Sequence, residues 1–152
     1  MKKLLLLLII PFLSFGQTPI TDDNIHSAVY NWYFYPSEAE DAYGHISDWD
    51  VSNVTNMEYL IDSYSNFNDD IGDWDVSNVT NMQHMFSNSF NFNQDISDWN
   101  VSNVTNMYRM FYSADEFNQD IGGWDVSNVT NMSDMFYSAD EFNQDIGGWD
   151  VS

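Results

Sequence analysis

The stretch Ile121-Gly-Gly-Trp-Asp-Val-Ser-Asn-Val-Thr-Asn-Met-Ser-Asp-Met-Phe136 decides the fold, because its pattern returns every 25 residues. Trp49, Trp74, Trp99, Trp124 and Trp149 mark the period. Ile recurs at 46, 71, 96, 121 and 146, and Val at 51, 76, 101, 126 and 151. A second Val follows at 54, 79, 104 and 129, Met at 57, 82, 107 and 132, and Phe at 67, 92, 117 and 142. A fixed period of this size means stacked supersecondary units, so residues 46–152 are expected to form a repeat solenoid of four coils and a truncated fifth. In each coil Ile, Trp and Val lead through a short extended stretch, with Trp and Val inward by period-2 alternation. Ser-Asn turns the chain, and the second Val re-enters the core. A single helical turn from Thr55 or Asn56 then puts Met57, Leu60 and Ile61 on one face, and Phe67 closes the coil through an Asn-rich loop.

Ahead of the repeats lies Thr21 to Gly44, which does not share the period. Thr21 is placed to cap a helix whose first turn carries Asp22 and Asp23, favourable against the helix dipole. Ile25, Ala28, Val29 and Trp32 fall on one helical face, and Pro36 stops the run. Ser37-Glu-Ala-Glu40 reads as a capping box opening a second short helix that Gly44 ends. Residues 17–45 are accordingly expected to be an N-terminal helical cap over the first coil. Residues 1–16 read as a signal peptide: Lys2 and Lys3, an apolar run Leu4–Phe15, and small residues at Ser14 and Gly16 before Gln17. The run is about twelve residues, short of the roughly 20 that a membrane span needs.

Composition narrows the function classes. The formal charge is −21, and removal of the leader would leave 24 acidic residues against Arg109 alone. Such a surface repels phosphate backbones, which excludes nucleic acid as a partner and disfavours anionic lipid. With no cysteine there is no disulfide, thiol catalysis or thiolate metal site. Aromatics at 17% supply the apolar surface of a folded chain despite the charge.

The pattern I-x-x-W-[DN]-V-S-N-V-T-N-M-x-x-M-F…F-N-x-D resembles the BspA-like leucine-rich repeat surface proteins. It is similar in particular to their tryptophan-bearing branch, a domain of unknown function abundant in mycoplasma and flavobacterial surface proteins. The resemblance covers residues 46–152, and Ile20–Trp49 is similar to the helical lead-in of those proteins. It implies an α/β leucine-rich-repeat-like solenoid: short parallel strands plus one helical turn per 25-residue coil, with the N-terminal helical cap. It also implies export, surface exposure and adhesion to host or matrix proteins, and it brings no enzyme motif. Leu60-Ile61 stands where later coils read Met-Phe, a departure suited to a coil beside a cap. The chain stops at Val151-Ser152, seven residues into a coil, which is expected of a piece of a longer protein.

The chemistry-bearing residues have plain readings. The Met columns at 57, 82, 107, 132 and at 85, 110, 135 interleave with Phe and read as core filling. Asn53-Val-Thr and its copies at 78, 103 and 128 match the glycosylation sequon, yet a fixed Asn in every turn is better explained by ladders pairing side-chain amides with the next coil's backbone. His26, His45 and His84 share no register. The Thr column (55, 80, 105, 130) lacks the two-residue spacing of an ice-binding face. Residues 111–127 and 136–152 are identical, so no coil carries a bespoke site. No catalytic, cofactor-binding or metal-binding residue is assigned, and no cofactor is expected.

The expected function is a non-catalytic surface or secreted repeat protein, its solenoid face binding an extracellular protein or glycan. The variable positions Glu58, Gln83, Tyr108 and Ser133, with Tyr59, His84, Arg109 and Asp134 beside them, are the expected contact face. Two other readings are an exported polysaccharide-acting enzyme component and a structural surface-layer spacer. For the spacer, the Asp columns (70, 95, 120, 145 and 50, 75, 125, 150, the second broken by Asn100) could hold divalent cations such as calcium. Within those columns two effects oppose: repulsion between stacked carboxylates raises their pKa, and hydrogen bonds from turn N–H groups lower it.

Overall fold

The computed structural model describes residues 17–152, so the expected signal peptide lies outside the described residues. Two helices open the chain, α1 at Ile25–Phe34 and α2 at Pro36–Tyr43, followed by a single 3-10 turn at Ile46–Asp48. Ile25, Ala28, Val29 and Trp32 are buried on one face of α1, following their i, i+3, i+4, i+7 spacing. The start of α1 differs from expectation. Asn24, not Thr21, is the N-cap, and no acid lies in the first turn. Asn24 Oδ1 accepts the Thr21 N–H at 2.8 Å, which spends the cap side chain on a turn before the helix. In α2, Pro36 takes the first helical position with its fixed φ, and no Ser37 capping box forms. Gly44 ends α2 at φ +79°, a value that suits glycine, and a Cβ there would strike the Gln17 side chain.

From Ile46 onward, successive 25-residue units lie one against the next in register, held by hydrogen bonds that repeat from unit to unit. The expected α/β leucine-rich-repeat-like solenoid, with short parallel strands and one helical turn per coil, is not what forms. Among the described residues there is no strand or sheet and no helix beyond residue 48; three isolated parallel bridges link Asn56, Asn81, Asn106 and Asn131. The units are built almost wholly of turns.

The backbone gives the reason. Met57, Tyr59, Ile61 and Ser63 donate their N–H groups to Asn81, Gln83, Met85 and Ser87 of the next unit at 2.8–3.0 Å. The residues between them close local turns, Leu60 onto Met57, Asp62 onto Tyr59 and Tyr64 onto Ile61. A helix would keep every N–H within itself, so sharing alternate ones with the neighbour excludes it. Tyr59 and Ser63 hold φ of 56° and 65°, which excludes strand as well, and the same two positions are left-handed in each following unit (His84 and Asn88, Arg109 and Ser113, Asp134 and Ser138). The stretch expected to be extended is likewise a pair of turns, Trp74 N–H onto Ile71 and Val79 N–H onto Val76.

Burial follows the sequence columns even though the local geometry does not. Ile71, Trp74, Val76, Val79, Met82, Met85 and Phe86 are all buried, and so are Met57, Leu60 and Ile61. Phe67, Phe92, Phe117 and Phe142 stack with centroids 6.2, 6.0 and 5.9 Å apart; Phe86, Phe111 and Phe136 stack at 5.4 and 5.6 Å. The two columns meet within each unit, Phe86 on Phe92 at 4.0 Å and Phe111 on Phe117 at 3.9 Å. One continuous apolar core runs from α1 through the repeats.

Polar ladders complete the stack. Asn78, Asn103 and Asn128 donate their side-chain amides to the carbonyls of Ser52, Ser77 and Ser102 at 2.7–2.8 Å. These sequon asparagines are thus committed to the unit before them. Thr80, Thr105 and Thr130 form a second ladder, each giving its N–H and hydroxyl to the preceding Thr carbonyl. No polar side-chain atom buried among the described residues lacks a partner.

Candidate functional site

The left-handed position at Tyr59, His84, Arg109 and Asp134 lies on a surface strip, and the structure joins these four expected contact residues to one another. Tyr59 stacks on His84 at 4.6 Å and 13°. His84 meets Tyr108 edge-on at 5.2 Å. The Arg109 guanidinium carbon lies 4.9 Å from the Tyr108 ring centroid and 5.0 Å from that of Tyr112. Its Nε and Nη2 donate to Asp134 Oδ2 at 3.0 and 2.9 Å. Tyr112 stacks on Tyr137 at 5.0 Å and 8°. The result is an unbroken line of aromatic and cationic groups across four units, with Tyr59 and Tyr137 its most open rings.

Burial lowers the His84 pKa, an effect reinforced by Arg109 and opposed by Asp62 and Glu58. The ring is therefore neutral at pH 7 and stacks as an uncharged aromatic. Beside it runs the second expected row. Glu58 accepts from Gln83 Nε2 at 2.6 Å and Asn81 Nδ2 at 3.0 Å, and Gln83 accepts from Asn106 Nδ2 at 2.8 Å. Glu58 and Gln83 are thereby held in the fabric of the stack, while Tyr108 of the same row joins the aromatic strip. Ser133 is exposed and in neither set.

Tyr112 and Tyr137 were not among the expected contact residues. Their position reads Asp62, Ser87, Tyr112, Tyr137, and that variability was the available signal. Positions 109 and 112 are three apart, so a helical turn would also have set them side by side; the row at 62, 87, 112 and 137 was simply not followed.

The remaining candidates do not assemble. His26 is exposed, and His45 pairs with Ser47 Oγ at 2.8 Å while meeting Trp32 edge-on. Among the described residues there is no group of three or more His, Cys, Asp or Glu side chains able to hold a metal ion. The Asp columns close turns instead. Asp125 Oδ1 accepts the Ser127 N–H at 3.1 Å and hydroxyl at 2.7 Å; Asp70 and Asp120 accept the N–H of Gly72 and Gly122. The Ser127 hydroxyl, then its N–H, hold the Asp125 carboxyl below the ordinary value, outweighing the repulsion from Asp150. A hollow between the lead-in and the first unit is lined by Gln17, Thr18, Tyr43, Asp48, Trp49 and Asp50.

No helix among the described residues is long and apolar enough to cross a membrane. No curated protein and no solved structure matches the chain. The repeat that builds the strip is nevertheless shared: a family model described as "Mycoplasma protein of unknown function, DUF285" matches residues 30–149, and the chain belongs to that family.

Proposed function

We propose that the chain is a non-catalytic, exported repeat protein whose Tyr59–His84–Tyr108–Arg109–Tyr112–Tyr137 strip binds an extracellular partner, with a protein favoured over a glycan. The observation that carries this reading is the strip itself. Parallel stacking turns the inner ring faces of Tyr59 and His84, and of Tyr112 and Tyr137, against each other. Tyr59 and Tyr137, 47 and 58% exposed, and the partly exposed Arg109 remain open to solvent. Tyr and Arg side chains clustered in this way are those that dominate protein interfaces. The sequence resemblance to BspA-like surface proteins, with the adhesive role it implies, supports the same reading, as does the leader pattern of residues 1–16.

The test is an array of extracellular matrix proteins and of glycans probed with the purified chain. Each hit is then titrated against the variant Arg109→Ala/Tyr112→Ser/Tyr137→Ser. Loss of about tenfold or more in affinity, the size of a single hot-spot effect, is the expected outcome. Hits that bind the variant as tightly as the parent would remove the strip from the function.

A further inference from the structure

A second aromatic patch stands apart from the strip, at the exposed side of α1. Tyr30, Phe34 and Tyr35 are 46, 51 and 52% exposed, three of the most open large apolar side chains among the described residues. They form one cluster. Tyr30 lies 4.7 Å from Phe34 and 6.3 Å from Tyr35. Phe34 meets Tyr33 at 4.9 Å and Tyr64 at 5.9 Å, both edge-on, and Tyr33 stacks flat on Tyr64 at 4.5 Å. The two inner rings anchor the patch to the first repeat, and among the described residues no group covers the outer three. Contiguous exposure of this kind marks an interaction surface, where singly scattered apolar residues would not.

The surrounding charge says what covers it. Asp62 lies within electrostatic reach of the Tyr64 hydroxyl. Tyr35 leads directly into α2, whose exposed positions carry Glu38, Glu40 and Asp41. Beyond the two leader lysines, 24 acidic residues face one arginine in the whole chain. A second copy of this chain would bring like charge to like, and an anionic membrane the same. The rings of Tyr30, Phe34 and Tyr35 are tilted at 43° and 49° to one another and offer no flat platform for a sugar.

The molecule also shows how its own surface holds a cation. Arg109 sits between the faces of Tyr108 and Tyr112 with two N–H groups on one Asp134 oxygen. Aromatic faces plus carboxylate are the components of that clamp, and the α1 patch joins exposed rings to the acidic α2 with no lysine or arginine in contact with it among the described residues. We propose that Tyr30, Phe34 and Tyr35 form a docking site for an arginine-rich segment of a partner protein, guanidinium groups lying on the exposed rings within the negative field of α2. Arginine is preferred to lysine because its planar, weakly hydrated guanidinium stacks on aromatic faces.

The experiment is fluorescence anisotropy of the full chain with labelled hexa-arginine and hexa-lysine peptides at about physiological ionic strength, where diffuse surface attraction is screened. Expected is tighter binding of hexa-arginine, weakened about tenfold or more in Tyr30→Ser/Phe34→Ser/Tyr35→Ser. Far-UV circular dichroism shows whether that variant keeps its fold. Phe34→Leu, which keeps apolar area and removes the ring, weakens binding as well if the contact is cation–π, and leaves the fold undisturbed. Tyr112→Ser/Tyr137→Ser leaves hexa-arginine binding unchanged, which separates this site from the strip. Equal affinity of parent and triple variant, or equal affinity for the two peptides, would reduce the attraction to net charge and overturn the proposal. Self-association of the parent in sedimentation, abolished by the triple substitution, would assign the patch to a second copy and overturn it too.

Discussion

The indole Nε1 of Trp99 donates to the carbonyl oxygen of Ile71 at 3.2 Å, reaching from one unit into the unit before it. Trp74 makes the same bond to Ile46, Trp124 to Ile96 and Trp149 to Ile121, so each tryptophan is both core and rung. Trp32 of α1 is buried too, but its ring is set edge-on against Trp49 and His45 at the end of the stack. Truncation of a buried tryptophan costs about 3–5 kcal/mol. Trp99→Ala is expected at the upper end of that range, since it opens a cavity between units and strands the Ile71 carbonyl, and Trp32→Ala at the lower end. Thermal melting of the two variants decides; equal losses would show that the rung adds nothing to packing.

Asp22 makes the corresponding connection at the start of the stack. Its Oδ1 accepts the N–H groups of Thr55 and Asn56 at 2.8 and 3.1 Å, and Oδ2 accepts the Thr55 hydroxyl at 2.7 Å. In later units the same Thr N–H and hydroxyl go to a Thr carbonyl one unit back. The carboxylate stands in for the carbonyl of a unit that does not exist. Burial pushes its pKa up, but the Thr55 and Asn56 bonds outweigh this and leave it lowered. Asp22→Ala is expected to cost about 1 kcal/mol, the net worth of such bonds at an exposed site. Amide exchange gives the specific readout: protection falls at Thr55 and Asn56 and persists at Thr80.

Much of the packing was legible because it depends only on which residues are apolar and how often they recur. The Ile, Trp, Val, Met and Phe columns are buried as their period requires up to Val126, while Val129, Met132, Phe142, Ile146 and Trp149 are partly buried and Val151 is exposed. Asn78 and its copies form the amide ladder that a fixed turn asparagine suggested, though directed to the preceding unit. The strands and helical turns were not there to be read. Leu60 and Ile61 lie three and four residues after Met57, which is helical spacing, and successive turns bury the same three side chains. The positive φ at Tyr59 and Ser63 and the N–H groups shared with the next unit separate the two structures. Tyr and Ser do not signal that φ, though His84, Asn88 and Asp134 at the same positions are types that favour it. The sequence pointed to Tyr59, His84 and Arg109 but Tyr112 and Tyr137 were missed, although position 112 is three residues from 109 and adjacent to it in helix and turn alike.

Gly123 offers a test of the turn before each tryptophan. A Cβ added there meets nothing within 4 Å, and its φ lies outside the left-handed region. Asp73 and Asp98 occupy the equivalent position in earlier units. Gly123→Ala is therefore expected to stabilise by about 0.4–1 kcal/mol through the lost freedom of the unfolded chain. Its neighbour differs: a Cβ on Gly122 runs into the Asp145 carbonyl oxygen of the next unit, so Gly122→Ala is expected to lower the melting temperature. Paired melting curves check both signs.

Acid should loosen the stack through the Asp–Ser turns. Asp50, Asp95, Asp125 and Asp150 each accept a serine hydroxyl at 2.6–2.7 Å and the same residue's N–H at 3.0–3.1 Å. The hydroxyl first and the N–H second hold these carboxyls below their ordinary value of 3.8. A folded-state pKa below the unfolded one contributes stability that is fully present above the unfolded value. That contribution is lost as pH falls through the lowered folded values. The acid limb of these turns is thus expected below about pH 4, with their full contribution unchanged between pH 7 and 5. If repulsion along the column governed instead, the melting temperature would rise on acidification from 7 toward 5. Asn100 shows what a neutral side chain does in this turn: its Oδ1 accepts the Ser102 N–H at 3.2 Å and hydroxyl at 2.7 Å. A variant carrying Asp50→Asn, Asp125→Asn and Asp150→Asn keeps the turns and removes the titrating groups. Its melting temperature should fall less steeply than the parent's between pH 4 and 2, and a parallel acid limb in the two proteins would place the titration elsewhere.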